Sequence, residues 1–340
     1  MTIAAAEPVA GRPPERPQER PEPRRIDLVD TLRGAALLAM FAYHFAWDLS
    51  FFRLIATDVV AHTGWRWFAH GIAGTFLGLV GASLVLATRR HLDRGAYLRR
   101  LALVAGAAAL VTAGTYAFMP DAYVFFGILH HIAVASVIAL PFLVLPTLAV
   151  AGAAVTAFAL PGLVAVHPAL NGDLLLWIGL GDRPIRSGDF VPLLPWFGCV
   201  LAGIVAARLA LALVGEDRLA AWRARSRPAA LLAAMGRHSL PIYLVHQPLF
   251  IALLSAWVWL LPATAGPPRA ADADTGPFIQ SCLKACTSGG RTEEDCRDAC
   301  ECTADGLKRD NLWGQALTGR MSTAERDRVG EIARICTRGE

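Results

Sequence analysis

From Ala122 to Gly172 the chain carries no Asp, Glu, Lys or Arg. A soluble domain, about a quarter charged on average, does not leave so long a stretch uncharged, and ~20 apolar residues already cross a bilayer as a helix. The stretch therefore holds two apolar segments, divided at Pro141 and Pro146, because a proline lacks the amide that continues a helix. The same length criterion applied throughout gives seven segments, at about 31–51, 70–88, 101–118, 123–142, 144–164, 195–214 and 239–261. Composition agrees, with 55% hydrophobic and 18% charged residues among 340 and a mean hydropathy of +0.44. The predicted fold class is all-α, a polytopic transmembrane helix bundle of about seven spans.

Arginine sets the orientation, because basic residues near span ends stay on the cytoplasmic side. Residues 1–25 hold Arg12, Arg16, Arg20, Arg24 and Arg25 among Pro and Glu, with no apolar core of a signal peptide, so they read as a disordered cytoplasmic leader. Arg89 to Arg100 contains five arginines, and Glu216 to Pro228 contains Arg218, Arg223, Arg225 and Arg227. The alternate loops hold only Arg53 with Arg66, and Arg183 with Arg186. The N-terminus is thus expected inside and the C-terminus outside. The net charge of +4 is spread over these orienting clusters, which argues against nucleic acid as a partner.

Six of the seven cysteines, Cys282, Cys286, Cys296, Cys300, Cys302 and Cys336, fall in the last sixty or so residues. Such a set in a short hydrophilic segment predicts disulfides and an oxidising compartment, in agreement with an external C-terminus. Cys282 with Cys286 and Cys296 with Cys300 each lie one helical turn apart, with Ser288-Gly289-Gly290 as a turn between them. Two antiparallel helices stapled by two bridges are expected, with Cys302 and Cys336 as a third, although six cysteines allow fifteen connectivities. Ser322-Thr323-Ala324-Glu325 has the pattern of a capping box opening a last helix. Zinc is the rival for such pairs, but the tail has no histidine and no metal is expected. Cys199, alone in an apolar segment, reads as a buried thiol. The domain organisation is a leader at 1–25, a membrane domain at 26–262, a Pro, Ala and Gly-rich linker at 263–277, and a small Cys-rich helical domain at 278–340.

Ionisable groups at membrane depth are expensive, so each is a functional candidate. His44 and Asp48 share one face of the first span; the pair suits proton transfer and equally a buried bridge between helices. Asp30 and Arg33 open that span, to anchor the helix or to meet a phosphate. His62 and His70 bracket an aromatic outer loop. His130 and His131 open the fourth span about 100° apart on a helix, so one of them is expected to face the bundle. His238 and His246 flank Pro241, which is expected to kink the last span. The stretch Gly188 to Gly198, with Pro192 and Pro195, reads as a re-entrant approach, a lid or a rigid loop. No nucleophile elbow, phosphate-binding loop or zinc helix motif stands in a credible context.

The segments RIDLVDTLRG at 25–34, YHFAWDL at 43–49, FFGILHH at 125–131, DFVPLLPWFG at 189–198 and GRHSLPIYLVHQP at 236–248 together resemble the bacterial relatives of the heparan-alpha-glucosaminide N-acetyltransferase catalytic domain. The resemblance covers about residues 25–262, and the tail lies outside it. It implies acyl transfer across a bacterial inner membrane, with cytoplasmic acetyl-CoA as donor and a sugar amine or hydroxyl outside as acceptor. It also implies a catalytic histidine in the first outer loop, where His62-Thr63-Gly64-Trp65 is nearest to the family's H-A-P-W. His44 with Asp48, and His130, are the next catalytic candidates. Arg33, grouped with Asp30 and His246, is the candidate for the CoA side. The chain is shorter than the lysosomal enzyme and is expected to have fewer spans. Further expected partners are the lipid bilayer, a carbohydrate acceptor, a second copy of the chain and an external partner of the tail. Two other function classes fit the residues: a proton-coupled transporter or exporter using the buried His and Asp, and a membrane anchor displaying the tail.

Overall fold

The computed structural model describes residues 26–52, 54–55, 57–89, 92–164, 168–172, 175–181, 185–260, 275–288, 291–318 and 321–338. The expected leader, and the expected linker up to residue 274, lie outside them. Among the described residues every regular element is helical. In chain order these are α1 (Asp27–Phe51), α2 (Thr63–Thr88), α3 (Arg94–Phe118), α4 (Ile128–Ile138), α5 (Thr147–Leu163), α6 (Leu193–Leu213), α7 (Glu216–Ala221), α8 (Arg227–Arg237) and α9 (Ser239–Leu260).

Each of the seven apolar segments carries a helix. Among the described residues four, α2, α3, α6 and α9, are both long and apolar enough to cross a bilayer. The 25-residue α1 is interrupted by the polar groups of Tyr43, His44 and Asp48. With 11 residues, α4 extends only ~16 Å, about half the hydrocarbon thickness. The α4–α5 break falls at the prolines: a 3-10 turn at Pro141–Leu143, then Pro146 capping α5. The carbonyls freed there are taken by Arg208 of α6, which donates to Phe142 at 3.2 Å, Leu143 at 2.6 Å and Leu145 at 2.7 Å. A cation at carbonyls that end a helix is favourable both as a hydrogen-bond donor and against the helix dipole.

By packing, the described chain forms two units, one of residues up to Tyr43 with Gly64–Gln247, the other of His44–Thr63 with Pro248–Glu340. The core of the first is built from Leu77, Val80 and Leu84 of α2, Ala135 of α4, Val150 and Ala154 of α5, and Phe197, Val200, Leu201 and Ile204 of α6. Between lipid-bathed helices such packing, rather than escape from water, supplies most of the cohesion. Close approach at one crossing requires glycine: a Cβ on Gly34 of α1 would stand 1.9 Å from the Leu232 carbonyl oxygen of α8, and one on Gly236 of α8 would stand 1.8 Å from that of Asp30. Two sequence expectations change. Pro241 sits in the first turn of α9, where a missing amide costs nothing, so it starts the helix instead of kinking it. Cys199 is a free thiol but only half-buried, because the α6 face around it is lined by small residues.

Within the second unit Phe45 packs edge-on against Phe250, and Trp47 stacks on Phe51. The tail folds as α10 (Gly276–Thr287), α11 (Glu293–Arg309), α12 (Trp313–Thr318) and α13 (Thr323–Arg338). Bridges Cys282–Cys300 and Cys286–Cys296 nest one inside the other, which makes α10 and α11 an antiparallel hairpin, and Cys302–Cys336 ties α13 to α11. Thr292 caps α11 by accepting the Asp295 amide at 3.2 Å, and the helix carries acids in its first turn and Lys308 and Arg309 in its last. The capping box is present: the Ser322 amide donates to Glu325 at 2.7 Å, and the Glu325 amide to the Ser322 hydroxyl at 3.3 Å. Trp313, Leu307, Ala304 and Ile332 fill the centre.

Candidate active site

Two connecting segments of the first unit organise the site, the first opening with a 3-10 turn at Pro120–Ala122. Residues 120–127 and 185–192 run side by side: the Gly188 amide donates to the Ala122 carbonyl at 2.8 Å and the Val191 amide to that of Phe126 at 3.0 Å. The Phe125 and Phe190 rings stack across them at 5.5 Å. Side chains add to the bracing, since Ser187 donates to the Tyr123 carbonyl and Thr112 to that of Val124. The stretch read as re-entrant, lid or loop is therefore a braced strut.

The two segments lead directly into helix N-termini. Asp189 crosses to α4 and accepts the Ile128 amide on Oδ2 at 2.9 Å, satisfying a donor left open by the first turn. Gly127 makes this possible: a Cβ there would fall 2.4 Å from that oxygen. Burial pushes the Asp189 carboxyl above its ordinary range, and the Ile128 amide pulls it partly back.

The adjacent histidines have different environments, as their angular offset predicts. His130 Nδ1 accepts the Gly127 amide at 3.2 Å. Its Nε2 lies 3.1 Å from the Thr112 hydroxyl, whose proton is already given to Val124, so Nε2 carries the hydrogen. Both ring nitrogens are thus engaged in holding the strut to α3. His131 is fully buried, and its Nδ1–H donates between the carbonyls of Val191 and Pro192 at 3.3 and 3.2 Å.

A cavity of about 580 Å³ lies in the same unit. Four arginines line it: Arg33 of α1, Arg99 and Arg100 of α3, and Arg237 of α8, with Ser239 beside them. Its remaining wall is largely apolar, from Leu37, Phe76, Val80, Leu103, Ile132 and neighbours, and it includes Tyr243 and Ile128, whose amide Asp189 accepts. Arg33 is held by an ion pair to buried Asp30 at 3.1 Å and by a hydrogen bond to Ser83 at 2.9 Å, so its guanidinium is fixed in one orientation.

The structure brings some predicted site residues together and not others. Arg33, Asp30, His130 and His246 all belong to the first unit. His246 is buried, bonds the Tyr243 carbonyl through Nδ1 and stacks on Phe41 at 5.6 Å, so it packs behind the cavity wall and not in the lining. His44, Asp48 and His62 belong to the second unit. His44 is half-buried and Asp48 fully buried one turn further along α1, while His62 is exposed in the segment before α2, its amide on the Asp58 carbonyl. Sequence reasoning passed over Asp189, Tyr243, Arg99, Arg100 and Arg237. Arg99 and Arg100 stood out only as orientation signals, Arg237 and Tyr243 only within a segment that carries the family resemblance, and Asp189 only in such a segment and in a Pro-containing loop.

No curated protein and no solved structure matches the chain. Residues 25–248, more than half of it, match the family model described as heparan-alpha-glucosaminide N-acetyltransferase, catalytic, and they contain the strut, the cavity and all four of its arginines; the chain belongs to that family.

Proposed function

We propose that the protein transfers an acetyl group from cytoplasmic acetyl-CoA to an amine or hydroxyl of a sugar on the far side of a bacterial inner membrane. The observation that carries this reading is the cavity, whose lining combines four arginines with a largely apolar remainder. Coenzyme A has the same division, a polyphosphate nucleotide joined to a slender, largely uncharged thioester arm. Arginine forks bind phosphate oxygens in pairs, and the volume is in the range of small-molecule sites. Two of the four, Arg99 and Arg100, belong to a sequence cluster whose distribution favours the cytoplasmic side.

On this reading Arg33, fixed by Asp30, is a phosphate ligand. His62 is the general base or acyl carrier, supported by its exposure and its place in the H-T-G-W sequence, with His44 and Asp48 as a second candidate pair. His130, with both nitrogens engaged, holds structure instead. The test is transfer of label from acetyl-CoA to amino sugars in membrane vesicles, comparing the wild type with His62→Ala and His44→Ala. Labelled product that one histidine variant abolishes supports transfer and assigns the role. A wild type that neither binds nor consumes acetyl-CoA overturns the reading.

A further inference from the structure

We propose that a groove between α2 and α6 holds one acyl chain of an anionic phospholipid, with the lipid phosphate at Arg218. The groove, of about 490 Å³, shares no lining residue with the arginine cavity, so the inference stands apart from the transfer reading. Its long walls run from Gly74 to Leu86 of α2 and from Cys199 to Leu211 of α6, with the start of α1 and Leu219 of α7 completing it. Apart from the Cys199 thiol, the polar side chain among the described lining residues is Thr75, and its hydroxyl donates to the Gly71 carbonyl at 2.7 Å. A polar ligand finds little to bind there.

Small residues also let helices touch, and the glycines here separate the two uses. A Cβ on Gly81 of α2 would stand 1.9 Å from the Val200 carbonyl oxygen, and one on Gly203 of α6 the same distance from that of Gly78, so contact between the helices requires both. Gly74 and Gly78 are different: a Cβ on either would meet Cys199 at 3.5 or 3.7 Å, an ordinary contact. Helix packing therefore does not account for the missing side chains at these two positions. Their bareness keeps the groove open, and Ala202 and Ala206 are exposed along its α6 wall.

The dimensions select the occupant. Twelve residues along each helix give a length of ~18 Å, slightly more than one leaflet's half of the ~30 Å hydrocarbon layer. Over that length the volume corresponds to a mean width of ~6 Å, about half the diameter of a helix, so an extended polymethylene chain enters where a helix of a second copy does not. Phe158 closes one end, its ring lying so near Gly198 that a Cβ there would fall 2.8 Å from it. At the other end exposed Arg218 precedes Leu219. Nearby Arg89 and Arg223 are paired with Glu216 and Asp27, whereas Arg218 has no ion pair among the described residues. The arginine distribution favours this end as the cytoplasmic side, where anionic headgroups collect. Since the chain leaves other lipid and not water, close packing and this charge are what retain it.

The test uses the full-length protein, stripped of lipid in detergent and titrated with dipalmitoyl phosphatidylglycerol or dipalmitoyl phosphatidylcholine. Native mass spectrometry counts the bound lipid, and alkylation of Cys199, the single free cysteine, by N-ethylmaleimide reports on the groove itself. One phosphatidylglycerol should bind saturably, and at ten times its Kd alkylation should slow about 10-fold as the free fraction falls. Arg218→Ala should weaken phosphatidylglycerol about fivefold and leave phosphatidylcholine unchanged. Ala206→Phe and Gly78→Leu fill the groove from opposite walls, and each should weaken phosphatidylglycerol by about 10-fold or more. Thermal midpoints check their folding, and Arg218→Ala, at an exposed site, keeps the test decisive should both fail to fold. Lipid that binds without saturation, or that leaves alkylation unchanged, overturns the inference. So does a Cys199 that stays unreactive after stripping, since the groove is then shut. A dimer that shields Cys199 without lipid and comes apart in Ala206→Phe also overturns it, and assigns the groove to a second copy.

Discussion

The Nη2 of Arg208 lies 2.6 Å from the carbonyl oxygen of Leu143, across the break between α4 and α5. With Phe142 and Leu145 also bonded to this guanidinium, one side chain satisfies three carbonyls that the prolines deprive of helical partners. Arg208→Met should destabilise the protein by roughly 2–3 kcal/mol, the cost of leaving such acceptors unpaired. Arg208→Lys should recover part of this, since it keeps the charge without the fork. Thermal unfolding in detergent checks both, and an unchanged midpoint for the methionine variant would count against the role.

Arg99 and Arg100 line the cavity, and among the described residues neither has an ion pair like the one that fixes Arg33. Replacing both with alanine should weaken CoA binding by about 10- to 100-fold, the equivalent of one or more charge-assisted hydrogen bonds. Binding of acetyl-pantetheine, which lacks the phosphates, should not change. Equal weakening of both ligands would show that the arginines shape the cavity and do not read phosphate.

In the tail, Cys302–Cys336 spans 34 residues and fastens α13 to α11. Serine at both positions should lower the stability of that attachment by about 3–4 kcal/mol on the chain-entropy view of disulfides. Hydrogen exchange of the α13 amides in the full chain measures this; full protection without the bridge would mean that Ile332 and Val329 suffice.

Acid should loosen the first turn of α13. The amide and hydroxyl of Ser322 hold the Glu325 carboxyl below its ordinary range. A depressed carboxylate contributes its stability fully above its unfolded pKa, about 4.3, and loses it as pH falls through the lower folded value. Exchange at the α13 N-terminus should therefore rise in acid, and Glu325→Gln should remove that dependence. An identical acid response in the glutamine variant would refute the assignment.

Much of this architecture was legible from spacing. The seven apolar segments, the division at Pro141 and Pro146, the nested cysteines and the Ser322 capping box are local patterns, and local patterns survive folding. What remained hidden is non-local. Nothing about Asp189 in its own neighbourhood says that its carboxylate meets the amide of Ile128, 61 residues away. Arg99 and Arg100 look like any orienting cluster until α1 and α8 bring Arg33 and Arg237 to the lining of the same cavity. The short α4 was missed for a related reason, because residues 123–127 are as apolar as a helix yet pair with 188–191 as extended chain.

The nesting of Cys286–Cys296 inside Cys282–Cys300 also decides how the tail meets proteases. Arg291 lies in the turn that both bridges enclose and is exposed. A protease that cuts after it severs the backbone but releases nothing, because each side of the cut stays joined twice to the other. In an environment rich in proteases, this exposed point of the hairpin is one where cleavage does little harm.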